Sequence, residues 1–293
     1  MANVGKVSPD SFQRLLTPGS IAVFGGSHAR QLIQQSDRLG FQGVIWPVHP
    51  KKTRIQGRKV YRSVDELPGC PDACYVAVNR HQTIDIVGEL AAKGAGGAVC
   101  FATGFNESGE QGKELAQQLL NASGDMPLIG PNCYGLLNLV DGAVLWPDQQ
   151  GARRVESGVA IISMSSNVAF NLTMQKRGLP IAYLLSLGNK LKFDLQDAIR
   201  VFAANEKVTA IGLYLESISS PAAFEDAVRF ARECGKPVVA IKTGRSDAAR
   251  SLVLSHTASM AGPDELVNAL FTRSGVARVQ SLEAFVEALK VLH

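Results

Sequence analysis

The stretch SLVLSHTASMAG (251–262) sets His256 among small and hydroxylated neighbours, Ser255, Thr257, Ala258 and Ser259. A neutral imidazole is a competent nucleophile near pH 7, and small flanking side chains leave room for a bulky group on its ring. Taken alone, the same residue reads better as an ordinary loop histidine. Glu216 closes the apolar run TAIGLYL (209–215). On its own such a strand-end carboxylate reads as a surface charge. The run GVAIIS (158–163) leads into SMSSNVAFNL, where Ser163, Ser165, Ser166 and Asn167 open a helical pattern. Hydroxyls and N–H groups at a helix start suit a bound anion. Serine is also a common helix cap with no ligand at all.

The first half carries a second set of polar loops. The run SIAVFG (20–25) opens into GGSHARQL, the layout of a phosphate cradle at a helix N-terminus. Against the G-x-G-x-x-G dinucleotide fingerprint counted from Gly25, Ser27 and Arg30 occupy the other two glycine positions, which weighs against NAD. The next strand end, WPVHPKK, offers His49, Lys51 and Lys52 where NAD proteins place an acid on the ribose. Basic groups there favour a nucleotide with an extra ribose phosphate, coenzyme A or NADP. Solvated loop charges are the plain alternative. GPNCYG (130–135) reads as a tight turn around Asn132 and Cys133.

These loops need strands to present them, and short apolar runs alternate with amphipathic segments along the whole chain, the mark of βαβ units. Expected strands are 20–25, 43–48, 73–78, 97–101 and 126–130, then 158–163, 181–187, 209–215, 236–242 and 275–279. Helical patterns fill 81–94, 109–122, 167–177, 193–203, 221–234, 263–274 and 281–291. Ligands in such sheets bind beyond the carboxyl ends of the strands, which is where the polar loops fall. The polar stretch 146–158 breaks the alternation, giving domains over 1–146 and 147–280, with 281–293 as a C-terminal helix leading toward a missing region.

At 293 residues, 46% of them hydrophobic and 19% charged, the chain has material for two cores. A net charge of +4 from 30 basic and 26 acidic residues is too small and dispersed for a nucleic-acid surface. Mean hydropathy is +0.06, and no apolar run reaches the length of a membrane span. MANVGKVSPDSF lacks the apolar core of a secretory signal, and the five cysteines form neither a disulfide framework nor a zinc pattern. A reduced, cytoplasmic protein without a bound metal is the expectation.

The ordered series SIAVFGGS, WPVHPKK, GPNCYG, SLGNK, LYLESI, IKTGRS and SHTASMAG resembles the NDP-forming acyl-CoA synthetases, relatives of the succinyl-CoA synthetase α subunit. The resemblance covers essentially the whole chain. It implies an α/β protein with a Rossmann-like CoA-binding domain followed by a flavodoxin-like, succinyl-CoA synthetase-type domain, both with parallel sheets. It implies that His256 becomes phosphorylated, that Glu216 hydrogen-bonds its ring, and that Ser163, Ser165, Ser166 and Asn167 hold phosphate. Coenzyme A would then be contacted by Gly25, Gly26, Ser27 and His28, by Pro50, Lys51 and Lys52, by Val78, Asn79 and Thr103, and by Asn132 and Cys133.

The reaction implied is acid, CoA and NTP to acyl-CoA, NDP and phosphate, through an acyl phosphate and phosphohistidine. Mg-ATP or ADP would be held by a separate ATP-grasp domain or β-type subunit, of which these residues show no trace, so a fragment or one subunit of an oligomer is expected. Departures from the family pattern are Ser166 where Gly is common, Ala258 after SHT, His28-Ala29-Arg30 in the first loop, Asn79-Arg80 for a Pro-Ala pair and Lys192 near a usual acid. They suggest a divergent branch. A non-catalytic CoA-sensing module, as in acetyltransferase fusions, is the rival expectation, and an NAD(P)-dependent oxidoreductase a third.

Overall fold

A computed structural model describes residues 9–244 and 263–293. The chain divides into two compact units. One takes the described residues up to Gln150 together with Gly188–Phe193, and the other takes Gly151–Leu187 and Asp194 onward.

In the first unit, α1 (Pro9–Leu16) precedes β1 (Ser20–Phe24), α2 (Gly26–Arg38) and β2 (Val44–Val48). A small hairpin of β3 (Arg54–Ile55) and β4 (Arg58–Lys59) follows, then β5 (Ala73–Val76), α3 (Arg80–Lys93), β6 (Ala98–Cys100), α4 (Gly109–Ser123) and β7 (Leu128–Ile129). The sheet is parallel throughout in the order β2-β1-β5-β6-β7. SIAVF and ACYV are buried at every position, as strands covered on both faces must be. The order reverses direction between β1 and β5, and the crevice at such a reversal is where α/β sheets bind ligands. An antiparallel pair, β8 (Leu136–Asn138) and β9 (Ala143–Leu145), completes the unit.

The second unit contains β10 (Gly158–Ser163), α5 (Ser166–Thr173), β11 (Ile181–Ser186), α6 (Leu195–Ala203), β12 (Val208–Leu215), α7 (Pro221–Glu233) and β13 (Val238–Lys242). After the undescribed residues come α8 (Asp264–Ser274), β14 (Ala277–Arg278) and α9 (Leu282–Leu292). Its strands run parallel in the order β14-β13-β12-β10-β11. Helix starts follow local chemistry: Ser220 caps α7 ahead of Pro221, and Asp194 and Asp197 form a reciprocal box on α6.

Two boundaries differ from the sequence expectation. The segment 188–193 belongs to the first unit although the second has already begun. Phe193 is buried and stacks on Phe12 at 4.1 Å, while Asn189 and Leu191 donate N–H groups to the Pro131 and Gly130 carbonyls. The terminal helix α9 packs on the sheet of the second unit. It buries Phe285, Val286 and Leu289, and Gly212 in β12 admits Phe285 and Leu289 because it has no side chain of its own.

One half-buried carboxylate ties the first unit's entry together. Asp72 accepts from the Gly19 and Ser20 N–H groups, the Ser20 hydroxyl and Arg14 Nε at 3.0 Å. Burial alone would raise its pKa, but the Arg14 and Ser20 hydrogen bonds, the Arg14 charge and the Gly19 amide outweigh it and leave it lowered. A lowered folded-state pKa stabilises above the unfolded value near 4, and that stability disappears as pH falls through the folded value. Asp72→Asn is therefore expected to cost about 1–2 kcal/mol at neutral pH. In urea melts across pH the gap between the two proteins should narrow steadily below about pH 4; a gap that stays constant into acid would remove this role for the charge.

Candidate functional site

In the first unit the carboxyl ends of β1, β2, β5 and β6 surround a set of adjoining cavities. The turn from β1 into α2 is made by Gly25 at φ 117°, and a Cβ there would overlap the Ala77 carbonyl oxygen just after β5. Glycine alone brings the helix start this close to the neighbouring strand. A cavity of about 500 Å³ opens there, with Gly25, Gly26, Val48, His49, Pro50 and Val78 among its walls. Gln82, Asp85 and Glu89 of α3 give its far side polar groups.

A second cavity of about 600 Å³ shares the Ala77–Val78 wall and is lined by His28, Asn79, Arg80, Phe101, Thr103 and Gly104 as well. The His28 ring lies 4.8 Å from that of Phe101, and Nδ1 is 3.5 Å from the Pro147 oxygen. A third cavity, of about 430 Å³, is lined by Lys52 with Arg30 and Arg54.

His49 Nδ1 accepts the backbone N–H groups of Lys51 and Lys52, at 3.1 and 3.3 Å, which leaves its proton on Nε2. Nε2 and the Lys52 ammonium both approach Gly26, the ammonium to 3.0 Å from where a Cβ would stand. Two donors thus meet at the positive end of α2, an arrangement suited to an anionic group. A mostly apolar groove with cations at one end fits a long neutral arm carrying phosphates.

Of the residues expected around this cleft, Gly25, Gly26, His28, Pro50, Lys52, Val78, Asn79 and Thr103 line it. Ser27 is exposed on α2, and Lys51 is exposed and lines none of these cavities. Asn79 also serves the fold, because its Oδ1 accepts from His81 and Gln82 and caps α3. Arg80, which sequence reasoning did not assign, donates to the Gly104 oxygen at 3.1 Å and closes the rim between two strand ends.

Asn132 holds φ 59° and donates to Asn189 Oδ1 at 3.4 Å. Cys133 is a correction. It is buried with Sγ toward the Cys100 oxygen at 3.7 Å, and burial pushes its thiol pKa well up, so it packs the turn and does not face the cleft. Lys192 acquires a local explanation, since its ammonium donates to the Gly124 oxygen and reaches Ser123 Oγ at the end of α4. Burial lowers its pKa, with Asp125 opposing.

In the second unit β10 and β12 are neighbours, with Ser163 beside Tyr214. This places the serine loop and Glu216 at one sheet edge, and the Glu216 N–H contacts Met164 Sδ at 3.4 Å. Ser163 is fully buried, donates to the Ser165 oxygen at 2.7 Å and accepts the Ser165 N–H, so its hydroxyl shapes the loop instead of facing a ligand. Ser165 caps α5 through Val168 N–H, and Ser166 Oγ lies 2.8 Å from Ser186 Oγ. Asn167 is exposed. Glu216 also acts on Tyr214, whose pKa is raised by burial first and by that carboxylate second. His256 lies outside the described residues. Among the described residues no His, Cys, Asp or Glu cluster suits a metal ion.

The two adjacent glycines should respond differently to substitution. Gly25→Ala is expected to lose about 2–3 kcal/mol, from its positive φ and the Ala77 overlap. Gly26→Ala displaces only the tip of Lys52 and should lie within about 1 kcal/mol of the parent. Asn79→Ala should cost about 1 kcal/mol as a lost cap, largely restored in Asn79→Ser. Chemical denaturation of the four variants checks the ordering, and equal losses at Gly25 and Gly26 would contradict it.

Comparison with known proteins follows the same division. Residues 19–138 match the model of a CoA binding domain, and residues 156–292 that of a succinyl-CoA ligase-like flavodoxin domain. The chain is 33% identical over 298 residues to a trans-feruloyl-CoA synthase of unknown prokaryotic origin, covering 98% of this chain and 42% of that protein. It is 31% identical to the α subunit of an ADP-forming acetate–CoA ligase I of Pyrococcus furiosus, covering 94% of this chain and 62% of the subunit. The solved dinucleotide-forming acetyl-coenzyme A synthetase 1 of Ca. Korarchaeum cryptofilum superimposes with a TM-score of 0.87 at 26% identity, over 96% of this chain and 62% of that one. The chain thus spans about two fifths to three fifths of the length of these relatives. With both domain models in order along the chain, it is similar over nearly its whole length to the CoA-binding and succinyl-CoA ligase-like portion of ADP-forming CoA ligases.

Proposed function

We propose that the chain is the CoA-binding and phosphohistidine portion of an acid–thiol ligase. That enzyme would convert a carboxylic acid, CoA and NTP to acyl-CoA, NDP and phosphate. The observation that carries the reading is the shared sheet edge of the α5 serine cap and Glu216. There a carboxylate and a helix N-terminus flank the place where a phosphoryl group would change hands.

In the proposed chemistry, written in the direction from acyl-CoA to NTP, phosphate displaces CoA from the acyl carbon, the C–O bond forming as the C–S bond breaks. A nitrogen of His256 then attacks the phosphorus of the resulting acyl phosphate. The N–P bond forms as the bond to the acyl oxygen breaks, and the carboxylate leaves. Glu216 holds the other ring nitrogen and offsets the imidazolium charge. The Ser165–Asn167 turn supports the phosphoryl oxygens, with Ser163 keeping that turn in shape. The same phosphoryl then passes to a nucleoside diphosphate on an ATP-grasp domain or β-type subunit, which would supply Mg-ATP or ADP. In the first unit, Gly25 and Gly26 let the cleft receive CoA, and Lys52 and the His49 N–H face its phosphates.

Relatives named for ferulate and for acetate support a carboxylic acid as the substrate without choosing among acids. An oligomeric, cytoplasmic enzyme fits this reading, and among the described residues no helix is long and apolar enough to cross a membrane.

With the ATP-grasp region supplied, radiolabelled NTP should leave an acid-labile, base-stable phosphoryl group on the chain, absent in His256→Ala. Glu216→Gln should slow labelling by about a hundredfold while CoA affinity is unchanged. Label persisting in His256→Ala would sink the proposal. CoA binding with no phosphoenzyme would instead support a sensing module.

A further inference from the structure

A relay of polar side chains at the far edge of the first unit's sheet bears on how the arm of CoA is held, and this inference rests on the CoA reading. The strand order β2-β1-β5-β6-β7 sets the cations that follow β2 at one side of the cleft and the residues that follow β6 and β7 at the other. There Glu107 Oε1 accepts the Gly104 N–H at 2.6 Å, and Glu107 Oε2 accepts from Asn189 Nδ2. Asn189 Oδ1 in turn accepts from Asn132 Nδ2 at 3.4 Å. The main chain ties the same segments together, with the Asn132 N–H on the Ala102 oxygen at 2.9 Å and the Asn189 N–H on the Pro131 oxygen at 2.8 Å. Ala102, Thr103 and Gly104 are wall residues of the second cavity. Of the three non-glycine residues with positive φ among the described residues, two belong to these segments, Asn132 at 59° and Lys190 at 54°. Backbone of that kind persists only where its surroundings fix it, and it gathers at functional sites.

A carboxylate only accepts hydrogen bonds, so Glu107 sets the direction of the whole relay. Asn189 must turn its NH2 to Glu107 and its oxygen to Asn132. Asn132 must then point an N–H at Asn189, which leaves Oδ1 as the acceptor at the end of the chain. The neutral arm of CoA carries the matching donors, amide N–H groups and a terminal S–H. With the phosphates at the start of α2, that arm runs along the sheet edge toward β7.

We propose that Glu107 is a positioning residue which, through Asn189, holds the Asn132 carboxamide with its oxygen toward an N–H or S–H donor of the CoA arm.

Glu107→Gln separates this role from a structural one. Glutamine at that position still accepts from Gly104, but its NH2 faces Asn189, and both asparagine amides must turn over. The hydrogen bonds survive with their direction reversed, so Asn132 offers an N–H where it had offered an oxygen. Adding Asn189→Asp restores the original direction, because the new carboxylate accepts from both neighbours.

Calorimetry with the full chain tests this, using as probes CoA and adenosine 3′,5′-bisphosphate, which lacks the arm. Glu107→Gln should weaken CoA about tenfold. It should leave the affinity for the bisphosphate and the urea midpoint unchanged. The double variant should return CoA affinity to within about twofold of the parent. Unaltered CoA affinity in Glu107→Gln, equal weakening of both probes, or no recovery in the double variant would overturn the relay while leaving the CoA reading intact. A parent that binds neither probe would overturn the CoA reading, and the relay with it.

Discussion

The first unit's cleft depends on one close approach, that of the β1–α2 turn to the end of β5. Gly25 can adopt φ 117° and lie against the Ala77 carbonyl because nothing projects from its Cα. With the turn held there, α2 starts at the point where the strand order reverses, and its positive end faces the cavity walled by Val48, His49 and Val78. Lys52 and His49 then approach Gly26 from the β2 side. A side chain at position 25 would separate the helix start from β5, and the anion-facing geometry would be lost even with every polar residue retained.

The second unit solves a similar problem with hydroxyls in place of glycine. Its loop after β10 has Ser166, whose side chain is accommodated by Ser186 at the end of β11. Ser163 holds the turn, and Ser165 caps α5. Hydroxyls that look interchangeable in SMSS therefore do three separate jobs. What remains to meet an anion is the backbone and the helix start, which is the part of such a loop least dependent on side-chain identity.

How much of this was legible varies by element. The strands SIAVF, GVAIIS and VVAIK are continuous apolar runs between turn residues, and buried parallel strands leave that trace. The polar loops at their ends were equally visible, since sheet direction alone sends them to one edge. The β3–β4 hairpin was missed because two-residue strands carry no periodicity, leaving Gln56-Gly57 as its single turn signal. Arg54 went unnoticed with it. Segment 188–193 was assigned by its neighbours in sequence, whereas its place is set by Phe193 stacking on Phe12, a contact between residues far apart in the chain. Cys133 looked like a cleft residue because the turn around it is one, and only the direction of its side chain into the core shows otherwise.

By itself the sequence determined what is local: where strands and helices form, which loops carry hydroxyl, imidazole and ammonium groups, and which family pattern those loops follow. Apolar runs, caps and turn residues act over a few positions, so each can be read in place. The tertiary structure decided what is shared between distant segments. It chose Lys52 over Lys51, gathered Arg30 and Arg54 around one cavity, gave Ser163 a structural role and joined 188–193 to the first unit. Those outcomes follow from strand order and close packing, which bring together side chains far apart in the chain.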